Sequence, residues 1–249
     1  MRTANPALND KTFQSLPKTQ SAAGRMTIQG TVNKTGIMLL LLIIPAMYVW
    51  NQFFAGGGNP SSVLPFTIGG AIGGLIVAMV TIFRQTWAPV TAPIYSVLEG
   101  AFLGGISAIL ESQYPGIVLQ AVLLTFGTAF GLLMAYRSGL IKATENFKLG
   151  IVAATGGIFL VYMATFILGF FNINIPYIHG SGTIGIAFSV FVVIIAALNL
   201  VLDFDFIESG AEQGAPKYME WFAAFGLMVT LIWLYIEILR LLAKLASRR

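Results

Sequence analysis

Long, unbroken runs of apolar residues are the main pattern of this chain. Seven segments can be delimited, at roughly 36–54, 64–83, 92–110, 116–136, 149–171, 183–207 and 218–246. The apolar residues follow one another without alternation, which is typical of lipid-embedded helices and not of barrel strands. Each run approaches the roughly 20 residues that a helix needs to cross a hydrocarbon core. The pattern therefore predicts an all-α polytopic membrane protein, built as a seven-transmembrane-helix bundle.

Charged residues are rare within these runs. None lies between Lys34 and Arg84, and none lies between Lys148 and Asp203. Only the first 35 residues are polar over a comparable length, and they lack the early apolar stretch of a cleaved signal peptide. We therefore predict a polar cytosolic leader at 1–35 and a transmembrane domain at 36–249.

The composition excludes several classes of function. The chain is 57% hydrophobic and 10% charged, with a mean hydropathy of +0.82, whereas soluble proteins carry about 25% charged residues. A net charge of +4 spread over loops does not make a nucleic-acid-binding surface. Cysteine is absent, and the single histidine, His179, cannot supply the paired histidines of a zinc protease. We therefore expect no enzyme activity and no cofactor, with the lipid bilayer as the main partner.

Glycine recurs at four-residue spacing in three of the segments. The pairs are Gly70 and Gly74, Gly100 and Gly104, and Gly127 and Gly131. Such small-xxx-small pairs let helix backbones approach closely, which predicts compact helix packing. A glycine-lined pore is the alternative.

The distribution of lysine and arginine predicts the orientation in the membrane. With the N-terminus in the cytosol, the leader, Arg84, the 137–148 loop and Lys217 lie on the inner side, as the positive-inside rule requires. Seven crossings then place the C-terminal cations at 240–249 outside, whereas an even number of crossings would place them inside. We predict a cytoplasmic N-terminus and seven spans, with the side of the C-terminus left open.

An acidic residue within a membrane span indicates a function, because burial of its charge is costly. Glu99 stands in an otherwise uncharged stretch that runs from Gln85 to Leu110. Its side chain either faces a hydrated pore or cavity, or it is protonated. A structural, hydrogen-bonded acid is the simpler alternative.

A second acidic site ends the sixth segment. Asp203 and Asp205 are two residues apart, so on a helix they point about 200° from each other and only one can face the bundle. Asp203 follows Asn199 by one turn, which makes a polar stripe. Asp205 shares its side with Glu208 and Glu212, which predicts an acidic mouth that attracts cations. A solvated helix end is the alternative for both aspartates.

The seventh segment carries Glu220 and Glu237. They are seventeen residues and about 25 Å apart along a helix, so they cannot serve one site. Glu237 has Arg240 one turn later, which predicts an intrahelical ion pair. Glu220 begins the helix, where a carboxylate suits the positive end of the helix dipole, and we count it as a further mouth acid.

Four stretches of the chain carry a family resemblance. They are Asn5–Leu8, Ala92–Gly100, Leu202–Ile207 and Trp233–Arg240. In this order they resemble a bacterial branch of the Bax inhibitor-1/YccA-like membrane proteins, and the likeness spans nearly the whole chain. The resemblance implies a seven-helix bundle with a central last helix, in a bacterial inner membrane.

The resemblance also implies a mechanism, because members of the family are associated with a pH-sensitive calcium leak. Two of their aspartates, late in helix six and in helix seven, share a proton, and an arginine of helix two helps to lock the pore. Asp203 matches the first acid, Glu237 matches the second with glutamate in place of aspartate, and Arg84 is the candidate arginine. The interval between the two acids is longer than expected, so Asp205 and Glu220 remain alternative partners of Asp203.

We therefore predict a pH-sensitive cation leak, with calcium as the expected permeating ion, gated by membrane-embedded carboxylates. The alternative is a non-conducting membrane regulator, since YccA-like members are also linked to membrane proteolysis. In that case the leader and the 137–148 loop would bind a membrane protease or a stress-response partner.

Overall fold

Seven long helices make up almost all of the described structure. The computed structural model describes residues 24–171, 180 and 182–248. The helices are α1 (Ile28–Ala55), α2 (Leu64–Phe83), α3 (Ala88–Gln113), α4 (Ile117–Arg137), α5 (Glu145–Phe170), α6 (Thr183–Glu212) and α7 (Met219–Ala246). Short 3-10 turns at Pro60–Ser62 and Gln85–Trp87 flank α2. All seven helices are long and apolar enough to cross a membrane, which confirms the predicted fold class.

The first helix begins earlier than the apolar pattern indicates. Thr27 has extended backbone angles and its side chain accepts a hydrogen bond from the N–H of Gly30, so it caps a helix that starts at Ile28. The apolar segment was expected to begin near residue 36, because residues 28–35 include polar side chains. The polar start of α1 thus belongs to a membrane helix. Residues 1–23 of the predicted leader lie outside the described residues.

The chain forms two compact units, which are described separately. We call residues 24–118 with 206–229 the α1–α3 unit, and the described residues of 119–205 with 230–248 the α4–α6 unit. The α1–α3 unit has a buried cluster of Val49, Phe53, Val63 and Ala108. The α4–α6 unit has a buried cluster of Ile158, Val192 and Ile195, with Trp233 packed against it.

Glycines bring α3 into close contact with α1 and α2. A Cβ at Gly70 would lie 2.5 Å from the carbonyl oxygen of Leu98, and a Cβ at Gly104 would collide with the backbone of Ala46. These contacts bear out the predicted close packing of the glycine pairs in the second and third segments. The pair in α4 behaves differently, because no atom of the described residues lies within 4 Å of a Cβ built on Gly127 or Gly131. Both α4 glycines are exposed, so small-xxx-small spacing there does not mark a helix contact.

Burial differs sharply between the helices. In the most hydrophobic 18-residue stretch of α7, 78% of the residues are buried. In the corresponding stretches of α1, α2 and α4, 17% are buried. Large apolar side chains such as Leu40, Leu75, Phe130 and Phe159 are exposed along the less buried helices. Exposed apolar surface of this kind suits contact with lipid tails. The high burial of α7 agrees with the central last helix that the family resemblance implies.

Candidate functional site

Asp203 is the most deeply buried acid of the α4–α6 unit. Its side chain has no exposed surface. One turn earlier on α6, Asn199 donates hydrogen bonds to the Thr155 hydroxyl of α5 at 3.0 Å and to the carbonyl oxygen of Ile195 at 2.8 Å. The predicted polar stripe of Asn199 and Asp203 therefore faces the interior of the unit. Burial of a carboxyl group in an apolar helix is costly, which is a feature of functional sites in membrane proteins.

Asp205, which the sequence predicts to lie at an acidic mouth, forms an ion pair with Lys148 of α5. Their charged atoms lie 2.7 Å apart, and the lysine side chain is only 1% exposed. Glu145, 3.8 Å from the same ammonium group, is 72% exposed. Glu208 is exposed as well. Lys148 was counted only as a loop cation, although its position as the last charge before a long uncharged run is a signal that it could be buried.

Glu237 lies in a compact polar cluster with Tyr162 and Arg240. Its carboxylate is 2% exposed and accepts hydrogen bonds from the Tyr162 hydroxyl at 3.0 Å and from Arg240 at 3.1 Å. Arg240 also donates to the Tyr162 oxygen at 2.9 Å and lies 5.3 Å from the centre of its ring. The predicted intrahelical ion pair is present. Tyr162 of α5 was missed, and the sharing of a proton between Asp203 and Glu237 stays a prediction.

The C-terminal cations contact polar groups of α5 and α6. Arg240, Lys244 and Arg248 are spaced by four residues, so they share one face of α7 and its C-terminal end. Lys244 donates to the Gly185 carbonyl oxygen and to the Ser189 hydroxyl, at 3.1 and 2.9 Å. Arg248 donates to a hydroxyl group near the start of α6.

Glu220 is the centre of a cluster that we call the Glu220 hub, in the α1–α3 unit. Its carboxylate is fully buried and accepts from the N–H and the hydroxyl of Thr27, at 3.0 and 2.9 Å. It also pairs with the ammonium groups of Lys34 and of Lys217, the latter at 2.8 Å. Although it lies in the first turn of α7, its contacts fix the beginning of α1. It is therefore an interior residue and not a solvent-facing mouth acid.

Residues next to the hub fasten the chain before α1 to the loop before α7. The N–H of Met26 donates to the Ala215 carbonyl oxygen at 2.6 Å, and the N–H of Lys217 donates to the Gly24 carbonyl oxygen at 2.9 Å. Arg25 and Pro216 form an antiparallel bridge between these two bonds. The start of α1 is thereby held by backbone as well as side-chain contacts.

Glu99 lies on α3 in a different setting. Its side chain is 9% exposed, and its hydrogen-bonding neighbour is Tyr95, one turn earlier. The ring of Tyr95 packs edge-on against Phe225 of α7, with centroids 4.9 Å apart. One carboxyl oxygen of Glu99 lies against Gly74 of α2, where a Cβ would be only 2.6 Å away.

Arg84 ends α2, where its backbone N–H donates to the Val80 carbonyl oxygen. Within the described part of the chain its side chain makes no ion pair, so its role in locking a pore stays a prediction. Among the same residues, no three histidine, aspartate or glutamate side chains are grouped to hold a metal ion. His179 lies outside the described residues.

Comparison with known protein families identifies a match. The family model described as Bax inhibitor 1 like matches residues 5–247, which is nearly the whole chain. No curated protein matches the sequence.

Proposed function

Because the chain belongs to the Bax inhibitor 1 like family of membrane proteins, we propose that it is a pH-sensitive cation leak with calcium as the permeating ion. The bundle of seven apolar helices and the family's association with a calcium leak support this proposal. The gating residues we propose are Asp203 and Glu237, with Asp205 at the cation entrance and Arg84 as the locking cation.

The observation that carries the proposal is the complete burial of the Asp203 side chain within the α4–α6 unit. An acid without exposed surface is stable in an apolar helix only when it is protonated or paired. Gain or loss of one proton at such a position changes the charge that the surrounding helices must accommodate. A change of this kind favours one of two helix packings over the other, which makes the leak depend on pH.

The direct test is calcium flux into liposomes that contain the purified protein, measured from about pH 6 to about pH 8. We expect the flux of the wild-type protein to change with pH and that of Asp203→Asn to lose this dependence. Glu111→Gln, which alters an acid at the end of α3 outside the α4–α6 unit, is the control and should behave as wild type. Equal flux of wild type and Asp203→Asn at every pH would contradict the proposal.

One observation favours the alternative of a non-conducting regulator. The leader joins the bundle at Gly24–Thr27, which is fastened to the loop before α7 and to the Glu220 hub. A partner that binds the leader would therefore act close to the most buried helix. In this alternative the partner is a membrane protease or a stress-response protein.

We also propose that the N-terminus is cytoplasmic and that the protein resides in a bacterial inner membrane. The lysine and arginine distribution supports the orientation.

A further inference from the structure

The buried acids of this protein differ in the number of hydrogen-bond donors that they receive. An ionised carboxylate offers about four acceptor positions, so an ionised group in an apolar setting needs several donors. Glu220 receives four donors, and two of them are ammonium groups. Glu111, near the end of α3, accepts from the backbone N–H groups of Gly116 and Val118. Among the described residues, Glu99 has one hydrogen-bonding neighbour, Tyr95.

The described helices of the α1–α3 unit bring no cation into an ion pair with Glu99. Within the α1–α3 unit, Lys34 is the only charged residue of α1, and it is engaged with Glu220. Helix α2 carries no charged residue, and Glu220 is the only one in the part of α7 that belongs to this unit. No lysine or arginine of the described residues forms an ion pair with Glu99. The titratable group that faces it is the hydroxyl of Tyr95.

Glycine also lets helix α2 approach the Glu99 carboxyl group closely. One of its oxygens lies against the Cα of Gly74, which can neither donate a hydrogen bond nor be replaced by a larger residue without collision. One turn earlier, Gly70 brings α2 against the backbone of α3 at Leu98. With 9% of its surface exposed, a charged carboxylate at this position would lose most of its hydration and keep one described donor. Carboxyl groups buried in this way become neutral instead.

From this geometry we infer that Glu99 is a proton-binding site inside the membrane. Its carboxyl group carries a proton at neutral pH and is held between the Tyr95 hydroxyl and the backbone of α2 at Gly74. The ligand of the site is the proton itself. The inference does not rest on the proposed leak, whose carboxylates belong to the α4–α6 unit.

Infrared difference spectroscopy of the purified protein at neutral pH tests this inference. Subtracting the spectrum of Glu99→Gln from that of the wild type should leave a carbonyl band of a protonated carboxylic acid. Glu111→Gln, on the same helix, is the matched control, because its carboxylate has two backbone donors and its difference spectrum should show only carboxylate bands. Carboxylate bands in the Glu99→Gln difference would overturn the inference.

A second variant covers the case in which Glu99→Gln does not fold. Tyr95→Phe removes the hydroxyl and keeps the ring against Phe225. The carbonyl band of the protonated acid should then persist and move to a higher frequency, because one hydrogen bond is lost. An unchanged spectrum would also count against the site, since it would mean that no protonated carboxyl group contacts Tyr95.

Discussion

Individual acidic side chains in this protein are distinguished by their partners, and several of those partners are distant in sequence. Burial of Glu99, Asp203 and Glu237 follows from their positions in apolar runs, and sequence patterns identified all three. The sequence did not predict their contacts with other helices. Tyr162, for example, is 75 residues from Glu237 and contacts it only because α5 packs against α7. The spacing of residues along the helix predicted one local contact, the ion pair of Glu237 with Arg240.

The pair of Lys148 and Asp205 gives a prediction at the same scale. Lys148→Met leaves the Asp205 carboxylate, which is 16% exposed, without its counter-charge. We expect the free energy of unfolding in detergent micelles to fall by about 3 kcal/mol, since breaking one side of a buried ion pair is strongly destabilising. The double variant Lys148→Met with Asp205→Leu should recover most of this loss. A double variant as unstable as the single one would show that the uncompensated charge was not the cause.

Whole helices were predicted better than their ends. The centres of all seven segments coincide with helices, because apolar runs of membrane length have no other stable conformation in lipid. The start of α1 was placed eight residues too late, since the contacts that stabilise it come from α7. In the same way, α6 continues to Glu212 through a charged stretch that an apolar pattern cannot detect.

Packing at the start of α1 can be tested with two glycines of that helix. At Gly30 a Cβ would collide with the Glu220 carboxylate, whereas nothing lies within 4 Å of a Cβ at Gly36. Gly30→Ala should therefore disrupt the Glu220 hub and lower the melting temperature in detergent. Gly36→Ala, the matched control, should leave it unchanged or raise it, because alanine favours a helix by about 1 kcal/mol over glycine. Equal effects of both substitutions would mean that the hub does not stabilise α1.

The orientation of the whole molecule can be tested by labelling, and the absence of cysteine makes this simple. Ser61→Cys lies between α1 and α2, and Lys142→Cys lies between α4 and α5; both positions are exposed. With a cytoplasmic N-terminus, a membrane-impermeant thiol reagent added to intact cells should label residue 61 and not residue 142. The reverse result would invert the proposed topology.

The role of the leader is also a question about the whole molecule. Deletion of residues 2–23 leaves Gly24–Thr27 and the Glu220 hub intact, whereas a longer deletion would remove the N-cap of α1. A cation leak should survive the shorter deletion with little change in calcium flux. A regulator should lose its partner, which co-purification from the native membrane would detect. Loss of flux with an unchanged melting temperature would show that the leader takes part in conduction.

The contacts of the Glu220 hub can form only late in biosynthesis. Thr27 and the acid that binds it are 193 residues apart. At 5–20 residues per second, roughly 10 to 40 s separate the synthesis of these two residues. During that interval α1 can enter the bilayer, but Glu220, the counter-ion of Lys34 and the acceptor of Thr27, has not yet been synthesised. Helix α1 is therefore made early but reaches its final contacts late. An insertion machinery must tolerate the unpaired charge of Lys34 until α7 is inserted.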